Sequence, residues 1–543
     1  MLWQLNFFGC IYRLLVLFRL PHPPEEGWIL GSAPTMLRKD HHRALSAWAR
    51  QLGPVYAIRI AFWHLVVVVD AELANIILGN QEGLNKALEP DLSDTLLSHR
   101  RGHRTMFSAD TNSPYWRLIR KGTAPAFITA NIKRGFPDVI AILDRVVANM
   151  AALPSGTELD MNNVTLRIAL DVTGMVGFAK DFRTCASFKD SGTDELFTII
   201  QKTFRELYCR TSNPARPYML WLSEVREARR LFRTFKSRMA ELVQEVKARG
   251  ELAKDDVSIA AHLLRLRDPI SNEPLPDDLL AGEFGLFFSA GIESAGNAIS
   301  WTLYLIQQHP AVEAKLAAEL DEAGLLVTAQ RPLPRAMEYA DLGRLTYLNW
   351  VCKEAMRVRP VAATGSTRYI KHDMTVGGYY LPKGTMVDVP FYAVHHHPEN
   401  WADPDTFDPD RWAVQHAELA SAKDSHSKLR EESQDITVDA QAAAKRFLPF
   451  STGPRRCIGQ SLAGIMHDAS VAQLLCHFSF QLAPRMGGPE GVDRQEINRL
   501  TLQPGAGMWM TFKPRTDTKD TLELLTPALE ENGTMYGRTA KEL

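Results

Sequence analysis

From Pro276 to Gln308 the chain reads PDDLLAGEFGLFFSAGIESAGNAISWTLYLIQQ, 33 residues with no proline after the first. Its apolar spacing predicts one helix that stops before Pro310. At 1.5 Å per residue such a helix is about 50 Å long, enough to cross a whole domain. Helical patterning continues on both sides of it, over about 113–350, with few strand candidates. Strand and turn signals are confined to three places. The first is GPVYAIRIAFWHLVVVVD (53–70), followed by a short helix ending at Gly79. The second is 366–389, where Gly377-Gly378 and Lys383-Gly384 suit hairpin turns, and the third is 478–513. The expected fold is mostly α with small β-sheets gathered from distant parts of the chain (α+β).

The ends and one internal stretch differ from this body. MLWQLNFFGCIYRLLVLFRL (1–20) is apolar apart from Gln4, Asn6, Arg13 and Arg19, and is barely long enough to span a bilayer. It reads as an N-terminal membrane anchor, with an interfacial helix and a targeting sequence as alternatives. PHPPEEG (21–27) reads as a stiff proline-rich hinge, and Arg38, Lys39 and Arg43 beyond it favour a cytosolic body. Residues 413–445 are charged and alanine-rich with no apolar stripe, as expected of a disordered surface insertion, and 516–543 form a polar tail. Residues 28–515 remain for the folded body. A net charge of −1 gives no reason to expect nucleic acid. Six cysteines without a CxxC pair argue against a disulfide scaffold or zinc site and fit a reducing compartment.

The chemistry concentrates in FLPFSTGPRRCIGQSLA (447–463). Glycines at 453 and 459 permit a tight turn and the approach of something flat, and the helical run that follows puts Cys457 at a helix N-terminus. There the dipole and the neighbouring arginines favour a thiolate, and Arg455 can bind a carboxylate. A thiolate, a carboxylate-binding arginine and a flat surface together suggest haem ligation. Phe450, Gly453, Arg455, Cys457 and Gly459 stand as FxxGxRxCxG, which resembles the haem-ligand signature of the cytochrome P-450 superfamily at every fixed position.

Further motifs carry the same resemblance, over about residues 28–515. Glu354 and Arg357 match the family's ExxR pair, and Arg411 in FDPDRW matches the arginine that completes a buried triad. Trp116 and Arg120 resemble the WxxxR helix that reaches a haem propionate; Arg368 and His395 match further propionate-facing positions. Ala290-Gly291-Ile292-Glu293-Ser294 resembles the oxygen-binding kink, with serine where the family has threonine. There the Ser294 hydroxyl would hold a proton-relay water and Glu293 would link it to bulk. The competing reading is that small residues pack helices closely and that serine bonds its own i−4 carbonyl.

The resemblance implies haem b with Cys457 as axial ligand, O2 as co-substrate and an apolar small molecule as substrate, of terpenoid, sterol, carotenoid or fatty-acyl class. It implies electrons from NADPH through a separate cytochrome P-450 reductase, with cytochrome b5 as a further donor, at the endoplasmic reticulum membrane, with a plastid or other organelle membrane as the alternative. Lys445, Arg446 and Arg456 are candidates for docking an acidic reductase. The alternatives are a haem-thiolate isomerase or dehydratase working without a reductase, and a haem sensor.

Overall fold

A computed structural model describes residues 16–61, 63–80, 84–86, 98–99, 104–186, 195–213, 215–249, 256–268, 270–413 and 445–516. The long helix runs unbroken over Asp277–Gln308. It packs against the helices Met161–Phe178, Ser223–Ala248, Thr346–Val358 and Gln460–His477. From Leu280 to Ser289 and again from Ala295 to Ile306 it is buried throughout, which is why its apolar residues occupy every face.

Among the described residues the strands form four small sheets. The largest joins β1 (Val55–Ile60), β2 (Trp63–Val68), β3 (Leu84–Lys86), β5 (Ser366–Ile370) and β8 (Met386–Val389) in the order β1-β2-β8-β5-β3. β4 (Glu158–Asp160) pairs with β12 (Trp509–Pro514), which also pairs with β9 (Phe478–Leu482). β6 (Met374–Val376) and β7 (Tyr379–Leu381) turn through Gly377 and Gly378, whose φ values of 56° and 82° suit glycine. β10 (Glu496–Asn498) and β11 (Leu502–Pro504) form the last hairpin. Trp301 of the long helix donates to the Leu502 carbonyl at 3.0 Å and so fastens that hairpin to the molecule's centre.

Residues 1–15, 414–444 and 517–543 lie outside the described part, and with them most of the expected anchor, insertion and tail. The 21–27 stretch differs from a free hinge. Its Pro21 carbonyl accepts from the Ala57 amide at 2.9 Å, Glu25 pairs with Arg59, and Glu26 accepts from Thr35. Proline stiffness here lays the chain along the β1–β2 ribbon instead of spacing it away. Leu17 and Leu20 are buried in the same core as β1 and β2. Arg38 and Arg43 are likewise engaged by the body, with Asp40 and with Glu496 and Asp493. Among the described residues no helix is long and apolar enough to cross a membrane.

Candidate functional site

Cys457 sits three residues before the helix Gln460–His477, in a loop closed by its own amide donating to the Phe450 carbonyl at 2.9 Å. Gly453 makes that closure possible. Its φ is 71°, and a Cβ there would stand 2.4 Å from the Leu78 carbonyl oxygen, so only glycine fits. A cavity of 330 Å³ opens beside the cysteine, lined by Arg120, Phe127, Arg456, Ile458 and Gln460. Phe127 stacks on Phe287 of the long helix at 6.0 Å, which ties this side of the site to that helix.

The thiol is exposed on its open side, yet the protein packed around its other sides raises its pKa above the usual value. The Gly459 amide, Arg120 and Arg456 act the other way and do not overcome that burial. Helix position and basic neighbours therefore do not by themselves hold a thiolate here. A bound metal ion deprotonates a coordinating thiol outright.

Beside the cysteine stands a group of arginines with little negative charge to balance them. Arg368 is buried on β5, donates to Ser366 and to the Thr367 carbonyl, and keeps Nη2 buried without a partner. Burial brings its pKa down to about 10, although Asp388 opposes the shift. Arg455 is brought down to about 10 as well, by burial first and then by the charge of Arg368. It donates to the Met106 carbonyl at 3.0 Å and to the Ala109 carbonyl, lies 4.7 Å above the Trp116 ring, and has an unpartnered buried Nε. Arg120 donates to the Arg456 carbonyl at 2.7 Å. Cations crowded together in a low-dielectric site, with N–H groups unused, are built to receive an anion.

His395 goes elsewhere. Its Nε2 accepts from the Leu448 amide at 2.8 Å, its ring stacks on Phe447, and burial with the Arg357 charge holds its pKa down at about 3. It braces the start of the cysteine loop against the Glu354–Arg357 centre. His396 stacks on Tyr392.

The triad is closed, with Glu354 and Arg357 fully buried and Arg411 half-buried at its edge. Arg357 donates to Glu354 at 2.7 and 2.9 Å, and Arg411 Nε and Trp412 Nε1 donate to the same carboxylate at 2.9 and 3.0 Å. Arg357 also donates to the carbonyls of His395, Pro404 and Thr406. The two arginines share one carboxylate and give their other N–H groups to main-chain carbonyls, and these hydrogen bonds pull together three separate chain segments.

On the long helix the burial is interrupted at one point: Ala290 is exposed, and Gly291, Glu293 and Ser294 are half-buried. Gly291 faces Thr173, whose Oγ1 would be 2.7 Å from an added Cβ. Ser294 donates to the Ala290 carbonyl at 2.8 Å, so the back-bonding geometry is the one present. Glu293 does not meet Ser294. Its Oε2 accepts from Thr501 Oγ1 at 2.9 Å, and burial lifts its pKa to about 7.

Two participants were not legible in the chain. Thr501 lies 208 residues from Glu293 and belongs to no motif. Glu283, also on the long helix, accepts from the Met106 amide and the Tyr115 hydroxyl at 2.9 and 2.8 Å, and so fastens the segment that meets Arg455. A second cysteine in this region, Cys352, is 1% exposed on the Glu354 helix, where it sits with His467 and Asp468. That cluster lies inside the helix packing and the cavity beside Cys457 does not reach it. Of the three basic docking candidates, Arg446 is used internally, donating to the Asn400 carbonyl; Arg456 is exposed, and Lys445 faces Glu72 at 3.9 Å.

The sequence model of the family Cytochrome P-450 matches residues 21–509. Rat cytochrome P-450 3A9 (Rattus norvegicus) is 24% identical over 492 residues, covering 86% of this chain and 90% of the relative. Soybean cytochrome P-450 97B2, chloroplastic (Glycine max), is 25% identical, covering 90% and 86%. Protein LUTEIN DEFICIENT 5, chloroplastic, of Arabidopsis thaliana is 25% identical, covering 86% and 73%.

Proposed function

The chain belongs to the cytochrome P-450 family of haem-thiolate monooxygenases, and on that premise we propose that Cys457 is its thiolate ligand and an apolar small molecule its substrate. The observation that carries this reading is the buried arginine group beside an open cysteine: Arg368 and Arg455 keep unused N–H groups and repel one another. That is a fit for the two propionates of haem b, with Arg120 and Trp116 completing the cradle. Cys457 has the open side such a ligand needs, and Cys352 does not.

When bound, the haem supplies dioxygen activation, with the thiolate pushing electron density toward O–O cleavage. The chain's own residues do the rest. Glu354, Arg357 and Arg411 hold the segment before the cysteine loop in place, and Gly453 lets that loop pass under Leu78. Ala290 and Gly291 keep side-chain bulk away from the middle of the long helix. Ser294 positions a water there, and Glu293 holds a proton near neutral pH because burial has lifted its carboxyl to about 7.

The substrate walls are assigned to 91–112, Phe287 to Ser294, Val361 to Thr367 and Gly505 to Met508, of which 91–97 and 100–103 lie outside the described residues. Apolar side chains and small residues in the described part support a terpenoid, sterol, carotenoid or fatty-acyl compound. Electrons would come from NADPH through a separate reductase docking near Arg456, with cytochrome b5 as a second donor, at the endoplasmic reticulum membrane.

The test is spectroscopic. The reduced, carbon-monoxide-bound protein should show the thiolate-specific band, and a panel of those lipids should contain one that shifts the haem spectrum. A carbon-monoxide band unaffected by Cys457→Ser would overturn the ligand assignment.

A further inference from the structure

Glu293 and Thr501 form a pairing that the monooxygenase reading does not explain. A carboxyl meant only to reach bulk water would need no partner on a distant hairpin. Here the partner is specified from three sides. Asn162 Nδ2 donates to Asn297 Oδ1 at 2.7 Å, which fixes the Asn297 amide. That amide then donates through Nδ2 to Thr501 Oγ1 at 3.1 Å. With its oxygen already accepting, the threonine hydroxyl has one proton to give, and it gives it to Glu293 Oε2 at 2.9 Å. The hairpin cannot drift away, because Leu502 accepts from Trp301 and donates to the Val361 carbonyl at 2.8 Å.

We propose that Thr501 is a positioning residue for proton delivery: its hydroxyl holds the Glu293 carboxyl on the β10–β11 turn, where it recharges with protons from solvent. This rests on the monooxygenase reading, RH + O2 + NADPH + H+ giving ROH, H2O and NADP+, in which the site itself takes up two electrons and two protons per turnover, one of those protons having been released where NADPH is oxidised. Thr501 is half-buried at the turn, at the edge of water. Glu293 gives its proton toward the Ser294 side by rotating about its side-chain bonds, returns as a carboxylate to the Thr501 hydroxyl, and takes a new proton there. No bond other than O–H is made or broken.

A donor held against a carboxylate favours its charged form, so Thr501 works against the burial that raises the Glu293 pKa. Arg499, on the same turn, is the charged group that also acts on this carboxyl, in the same direction. The nearby Asn162 and Asn297 on the packed helices are neutral. Removing the hydroxyl should therefore move the Glu293 titration upward by about one pH unit, a tenfold change in proton affinity.

The experiment is an infrared pH titration of the haem-loaded protein, reading the protonated-carboxyl band that disappears in Glu293→Gln. Thr501→Val should raise the midpoint of that band by about one unit, and Thr501→Ser should restore it. With NADPH and a reductase, Thr501→Val should release at least threefold more peroxide per NADPH consumed. A midpoint unchanged in Thr501→Val, or unchanged in Thr501→Ala should the valine variant load no haem, overturns the assignment. No NADPH consumption by the unaltered protein would instead count against the monooxygenase reading, and the infrared arm would still decide the role of Thr501.

Discussion

Arg368 and Arg455 are the residues whose roles in the free chain and the haem-bound protein oppose each other most. Each carries a buried charge that no described carboxylate neutralises in full, and the Arg368 charge lowers the proton affinity of Arg455. In the apoprotein that is a cost; with an anion present it becomes affinity. Arg368→Met should leave the apoprotein equally or more stable, while haem leaves about ten to a hundred times faster. That range is what one charge-assisted hydrogen bond of about 1.5–3 kcal/mol supplies. Transfer of haem to a scavenging globin measures it, and an unchanged loss rate would remove Arg368 from the cradle. Cys352→Ala should keep the thiolate band and Cys457→Ser should lose it, because Cys457 borders the cavity and Cys352 does not.

Two helices set what the site can tolerate. On Thr346–Val358, Glu354 accepts five hydrogen bonds, two from Arg357 and one each from Arg411, Trp412 and the Asp408 amide. Glu354→Ala would leave Arg357 buried and uncompensated, a loss of about 3–5 kcal/mol. Little haem-loaded protein should be recovered, and normal loading would contradict the network's structural role. On the long helix, burial lifts Glu283 to about 7, well above an unfolded value near 4.3. A raised carboxyl contributes stability that is full below about pH 4.3 and is lost as pH rises to about 7. Glu283→Gln should therefore gain on the native protein between pH 5 and 8, by up to about 3 kcal/mol. Denaturant melts at both pH values measure this, and a constant difference would mean the carboxyl ionises in the fold as readily as in the unfolded chain.

At the scale of the molecule, the N-terminal segment is part of the body before it is anything else. Leu17 and Leu20 lie in the core of the five-stranded sheet, and Pro21 bonds to Ala57. Removing residues 1–15 should leave the haem spectrum and melting temperature unchanged while lowering membrane retention. Removing 1–27 should destabilise the body, since burying one leucine alone is worth about 1.5–3 kcal/mol. Equal melting temperatures for the two truncations would show that the segment is only a tether.

Much of this was readable in the chain because it depends on neighbours close in sequence. The long helix was expected over 276–308 and spans Asp277–Gln308, since apolar periodicity and a terminal proline act locally. The cysteine loop, the Glu354–Arg357 spacing and the Gly377-Gly378 turn were legible for the same reason, as backbone conformation and helix faces repeat over a few residues. What required the tertiary structure is every choice between equivalent local options. Ser294 turned to its own carbonyl, Glu293 to Thr501, His395 to Leu448, and residues 21–27 lay down on a strand ribbon. The thiol of Cys457 went the same way: local dipole and charge favour its thiolate, and the packing around it favours the neutral form. Motif spacing fixes which groups can meet, but burial and partner direction are sums over segments hundreds of residues apart, and those sums exist only once the chain has folded.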